Sequence, residues 1–269
     1  MKNAAQLSQI ETRDPALRVI LLGASNLSLS FSNVVATART MFDGPIDFRV
    51  AMGFGRSYGQ ESKFFGKKFS GILQSDLWRA LECAPRVQTV AIVADVGNDL
   101  AYEAPVEVVI EWVRETLDRL AAHGATTALN NVPLDALVGV GALRYRVMKT
   151  LLFPRSNLTR EVMRERARAL SAKLDELARE REIPVFSGEL AWYGFDPIHP
   201  RRHARGAIWQ RLLGALAERE TPPTWASPTR DDARRLRALN AQFWAREEVS
   251  NDSSAPVAHL ADGSTVTLY

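Results

Sequence analysis

Short, unbroken apolar runs alternate along this chain with longer stretches in which apolar residues return every three or four positions. The first run is RVILL, residues 18–22. A run of branched side chains with no polar alternation suits a strand buried on both faces of a parallel sheet. Further strand candidates are IDFRVAM (46–52), VQTVAIVAD (87–95), residues 126–132 and the shorter PVFSG (184–188). Helical spacing fills the intervals. A helix is expected over 28–41, broken by Phe42-Asp43-Gly44-Pro45. A second covers 105–123, with Val109, Val113, Leu117 and Leu120 on one face and Gly124 as its cap. A long charged helix is expected from about Arg160 to Arg181, capped by Asn157 or Thr159, and a further one over 201–218 with Pro200 as its first residue.

Alternation of this kind predicts the α/β class: a mostly parallel central sheet covered by helices on both faces, a three-layer α/β/α arrangement. Residues 1–17 read as a polar leader and 18–220 as the α/β domain. Thr221-Pro222-Pro223 marks a boundary, followed by a C-terminal extension (221–269) with one amphipathic helix over 231–248 and a short strand at 265–268. The extension is expected to pack on the domain or on a second copy of the chain, giving a homo-oligomer. The stretch 134–154, LDALVGVGALRYRVMKTLLFP, is apolar yet carries Arg144, Arg146 and Lys149. It reads either as a core helix packed on the sheet, the favoured reading, or as a cover over the site.

Composition narrows the function classes. Of 269 residues 46% are apolar and 24% charged, ordinary globular usage that permits a large core. The net charge of +3 is small, and the densest basic helix interleaves Arg with Glu161, Glu165, Asp175, Glu176, Glu180 and Glu182. Alternating signs make a solvated face rather than a phosphate-binding stripe, which argues against a nucleic-acid partner. One cysteine, Cys83, excludes an intrachain disulfide and a thiolate metal cluster. The amino end shows no apolar signal segment, and no run approaches the roughly 18 apolar residues of a membrane span. The expectation is therefore a cytoplasmic protein without membrane insertion.

In open parallel sheets, ligands bind beyond the carboxyl ends of the strands. Four inferred strands end at polar or glycine-bearing turns: Gly23-Ala24-Ser25-Asn26, Gly53 to Gly59, Gly97-Asn98-Asp99, and the loop FDPIHP. Ser25 at a strand-to-helix turn suits either a nucleophile, given a base, or a helix cap. The wider elbow G-x-S-x-G is absent because position 27 is Leu. Asp196 and His199 stand three apart, each followed by a proline (Pro197 and Pro200), in a loop that proline keeps extended. A carboxylate beside an imidazole fixes its tautomer; the plain alternative is a loop acid and a capping histidine. Asp196, His199 and His203 also have ligand-like spacing, but H-E-x-x-H and cysteine partners are missing. Gly53, Gly55 and Gly59 fail the dinucleotide spacing and better suit a backbone that approaches a ligand closely. Asn98 is either an oxyanion donor or a turn residue.

Taken in order, GASN, GFGRSYG, VGND and DPIHP resemble the four blocks of the SGNH (GDSL-like) hydrolases, across about residues 18–216. The resemblance implies the flavodoxin-like SGNH fold and a serine esterase without metal or organic cofactor. Its catalytic residues would be Ser25, His199 and Asp196, with an oxyanion hole from the Ser25 N–H, the Gly55 N–H (Gly59 being the other choice) and the Asn98 side chain. The substrate implied is a small-molecule carboxylic ester, such as a small acyl ester or an acylated carbohydrate or alcohol. Ala24 stands where the family carries aspartate, and Val96 where it carries glycine. Those departures leave two other readings: a non-catalytic relative that binds a ligand in the same crevice, and an acyltransferase with 134–154 as its cover.

Overall fold

The computed structural model describes residues 15–64, 66–153, 156–218, 223–246 and 255–269. Most of the leader (1–14), Pro154 of the 134–154 stretch, Thr221-Pro222 of the expected boundary and the end of the predicted 231–248 helix (247–248) lie outside the described residues.

Two strands form the centre: β1 (Leu17–Leu22) and β5 (Gln88–Val93), paired in parallel from Leu17↔Gln88 to Leu22↔Val93. On one side β6 (Ala125–Asn130) and the two-residue β7 (Val185–Phe186) continue in parallel; on the other stands β2 (Ile46–Ala51). Beyond β2 come β9 (Thr265–Leu268), parallel to it, and β8 (Val257–His259), antiparallel to β9. The order of the seven strands is β7-β6-β5-β1-β2-β9-β8. This is the expected α/β/α class with a mostly parallel sheet.

Alternate side chains of a strand point to opposite faces, so β1 feeds two cores. Val19 and Leu21 join the cluster under α1 (Ser25–Arg39), α8 (Arg205–Leu216) and α9 (Arg230–Ala245), with Phe48, Val50, Trp209 and Leu236. Ile20 and Leu22 join the opposite cluster under α4 (Val106–Ala122) and α7 (Arg160–Glu180), with Val109, Val113, Leu170 and Leu174. All four β1 side chains are fully buried, each worth roughly 1.5–3 kcal/mol. A charge at any of them would disrupt the sheet centre.

Several boundaries differ from the sequence reading. α1 begins at Ser25, three residues before the expected start, and α8 begins at Arg205, so Pro200 precedes a turn instead of opening the helix. Thr159 caps α7, its hydroxyl accepting from Val162 N–H at 3.3 Å, and Gly124 ends α4 with φ +69. The 134–154 stretch is not one core helix. It divides into α5 (Leu134–Val138) and α6 (Ala142–Leu152) around Gly139 and Gly141, and α6 lies at the surface with Leu143 76% and Leu151 70% exposed. Among the short elements that escaped the pattern are the hairpin β3 (Ser62–Phe64)–β4 (Lys67–Phe69), α2 (Leu77–Glu82), α3 (Asn98–Ala101) and β8.

The C-terminal segment packs on its own chain. Thr229 caps α9, accepting from Asp232 N–H at 3.2 Å. Arg39 on α1 pairs with buried Asp232 at 2.8 Å and with Asp262 at 2.6 Å. Ser264 Oγ accepts from Ile46 N–H at 3.0 Å where β9 meets β2.

Candidate active site

Ser25 is placed by the end of β1. Gly23 N–H donates to Ala51 O of β2 at 3.1 Å, and the helix starts two residues later. A side chain at position 23 would sit 3.1 Å from Leu27 Cβ and 3.2 Å from Asp95 Oδ2, a tight fit that would press on both neighbours. Ala24 occupies the cap position and makes no side-chain cap bond; Ser25 is the first helical residue, which removes its reading as a cap.

The loop after β7 delivers the other two groups. His199 Nε2 lies 2.8 Å from Ser25 Oγ, and His199 Nδ1 lies 2.6 Å from Asp196 Oδ2. Asp196 Oδ1 accepts from the N–H groups of Ile198 (2.8 Å) and His199 (3.1 Å), which ties the acid to the loop that carries the base. A proton on Nδ1, held by the carboxylate, leaves Nε2 to accept from the serine hydroxyl. Burial by itself raises the Asp196 carboxyl. The bonds and charge of His199, with the two loop N–H groups, outweigh it and hold the acid below its ordinary range. His203 is exposed, and no group of three His, Cys, Asp or Glu suited to a metal stands together among the described residues.

The two candidate glycines have separate reasons. Gly55 has φ +68, and its carbonyl accepts from the Tyr102 hydroxyl. Gly59 lies against Trp112, where an added Cβ would come within 2.0 Å of the ring. Asp99 fixes the loop between them, accepting from the Ser57 hydroxyl and from Tyr58 N–H at 3.1 Å. Burial pushes Asp99 up to about 6 against the pull of those two bonds. Asn98 opens α3; its side-chain Nδ2 is buried and meets no acceptor among the described residues. Thus Ser25, His199 and Asp196 are joined directly, and Asn98 faces the adjoining cavity. The described contacts of Gly55 run to Tyr102, not to Ser25.

Sequence reasoning missed Asp95 and Asn26. Asp95 sits just past β5 with φ +62, and its carboxylate accepts from Ala24 N–H, Leu27 N–H and the Asn26 amide. An acid closing an apolar strand was the only signal available. A cavity of about 110 Å³ opens beside these residues. Asn26, Asp95, Asn98 and Ile198 form one wall, and Leu100, Val132, Leu137, Val140, Met148 and Phe153 much of the rest. Helix α6 is fastened over it: Arg144 donates to the carbonyls of Gly194 and Phe195, next to Asp196.

No family model matches the sequence, and no curated protein is significantly similar to it. Solved structures share the fold. One aligns at TM-score 0.52 and 11% identity, over 75% of this chain and 97% of its own. An aryl esterase from M. smegmatis aligns at 0.48 and 15% identity, over 75% and 97% of the two chains. A carbohydrate acetylesterase family member from Sinorhizobium meliloti aligns at 0.48 and 12% identity, over 75% and 95%. At these identities the likeness extends to the architecture, and the two lower scores carry no argument about this chain.

Proposed function

We propose that the protein is a serine esterase of the SGNH type, hydrolysing a small-molecule carboxylic ester through Ser25, His199 and Asp196. One observation carries the reading: the unbroken line Asp196 Oδ2–His199 Nδ1 (2.6 Å) and His199 Nε2–Ser25 Oγ (2.8 Å). Both distances are within proton-transfer reach. They argue against a crevice that only binds, for which His199 would stand apart from the serine.

In the reaction, Ser25 Oγ attacks the ester carbonyl carbon while its proton passes to His199 Nε2. The carbonyl π electrons move to oxygen, and the Ser25 N–H, Gly55 N–H and Asn98 amide hold that oxyanion. Collapse of the intermediate breaks the bond to the alcohol oxygen, which takes the proton from His199. Water then repeats the sequence on the acyl-enzyme, releasing the acid and restoring Ser25. Asp196 stabilises the imidazolium in both halves. The apolar walls of the cavity, Leu100, Val132, Leu137 and Met148, suit the hydrocarbon part of the ester.

A fluorophosphonate probe tests this. The folded protein should be labelled at Ser25 and hydrolyse a short p-nitrophenyl ester at neutral to alkaline pH, and Ser25→Ala should do neither. Absence of labelling together with absence of turnover in the wild type would overturn the proposal. A second arm adds an alcohol acceptor: ester exchange in place of free acid would mark an acyltransferase, the reading that α6 over the cavity favours.

A further inference from the structure

We propose that Asp95 is a positioning residue for the nucleophile: it caps α1 from another strand and ties the serine turn to the histidine loop. The inference rests on the esterase reading above.

The first N–H groups of a helix have no partner within it, and normally the cap residue's own side chain supplies one. Ala24 has no side chain able to do so. The carboxylate comes instead from the end of β5, 71 residues away: Asp95 Oδ2 accepts from Ala24 N–H at 2.7 Å and from Leu27 N–H at 3.1 Å. Among the described residues, no protein acceptor meets the N–H of Ser25 or Asn26, which lie between those two. The cap is therefore selective. It occupies the donors on either side of Ser25 and leaves the Ser25 N–H for a carbonyl oxygen in the site.

The second oxygen reaches the base. Asp95 Oδ1 accepts from Asn26 Nδ2 at 2.9 Å, and the same amide donates to Ile198 O at 3.3 Å, one residue before His199. One carboxylate thus links the Ser25 turn and the loop carrying Asp196 and His199. Because Asp95 lies three residues before Asn98, with Asn98 N–H donating to Asp95 O at 3.2 Å, the turn bearing the third oxyanion donor is tied in as well. The backbone of Asp95 is left-handed, with φ +62, a conformation that aspartate tolerates better than most residues with a side chain. Such a backbone persists where surrounding bonds hold it, and here three bonds to the carboxylate do so.

Asp95→Asn keeps the size but sets a donor among donors, since both oxygens now accept. Active-site titration with the fluorophosphonate separates positioning from folding. Positioning predicts that labelling still reaches one per chain while its rate constant and kcat fall by on the order of 10²-fold, the scale of a misplacement near 1 Å, with KM within about threefold. A merely structural role predicts fewer labelled chains with an unchanged rate constant for those that remain, and this overturns the proposal. So does a wild-type rate in the variant. Should Asp95→Asn fail to fold, Asn26→Ala removes the amide that joins Asp95 Oδ1 to Ile198 O while the Asp95 Oδ2 cap on Ala24 and Leu27 stays: a rate lowered about fivefold or more at full stoichiometry supports the proposal, and an unchanged rate refutes it. A wild type that neither labels nor turns over removes the esterase reading and this inference with it, an outcome distinct from a labelled wild type and an equally reactive variant.

Discussion

Replacing Asn98 with alanine should move stability and activity in opposite directions. Among the described residues no acceptor meets the buried Asn98 Nδ2, and an unsatisfied buried donor costs about 1–3 kcal/mol. Alanine removes the donor at the first position of α3 and has the better helix propensity, by up to about 0.7 kcal/mol. The small volume left behind offsets part of the gain, so a net increase of about 1–2 kcal/mol is expected from the relief of that donor. At roughly 2–4 °C per kcal/mol for a chain of similar size, Tm should rise by several degrees. In the proposed mechanism the amide gains an acceptor when the oxyanion forms, so kcat should fall by about 10²–10³-fold. Thermal unfolding and steady-state hydrolysis of a p-nitrophenyl ester, measured on the same preparation, give both numbers. A lowered Tm with kcat unchanged would show Asn98 to be a turn residue and refute the reasoning.

Asp196→Asn preserves shape but leaves the imidazole in the wrong tautomer, and kcat should fall by about 10⁴-fold, as steady-state kinetics will show. The two perturbed acids should give opposite pH slopes in urea unfolding. Asp196 is held below its ordinary value, so its contribution is present above the unfolded pKa and lost as pH falls through the folded one. Asp99 is raised to about 6 from 3.8, so its contribution is full below the unfolded value and lost as pH rises through 6, a change on the order of 3 kcal/mol that Asp99→Asn should abolish. An identical pH slope in that variant would refute the assignment. Gly59→Ala drives a methyl into Trp112 and should lower Tm, with recovery in the double variant Gly59→Ala/Trp112→Ala. Gly55→Ala meets both a left-handed backbone and the Tyr102 hydroxyl, and should lower kcat more than a stability loss explains.

The two central strands were legible because β1 and β5 are buried over nearly their whole length and read as almost continuous apolar runs. The start of α1 was not, because its cap comes from Asp95 and no local signal marks Ser25 as helical. Likewise α8 starts late because residues 201–204 form a turn that follows the histidine loop. The position of β9 beside β2 is a pairing more than 200 residues apart, beyond any periodicity argument. Among the site residues, Asp196 and His199 were conspicuous because each is followed by a proline, and Ser25 by its place after a strand. Asp95 escaped because its partners are mainly backbone N–H groups, which no sequence motif displays.

The strand order has a consequence for biosynthesis. While the chain is being made, β2 emerges early, yet its outer neighbour β9 is supplied by residues 265–268. At about 5–20 residues per second, the 51 residues after Glu218 take on the order of 3–10 s to add, and for that time β2 presents unpaired N–H and C=O groups. An unpaired edge beside so apolar a core is a template for pairing with other nascent chains. A ribosome stalled before residue 265 would hold a protein with its Ser25 and His199 turns already synthesised and its sheet still open to its neighbours.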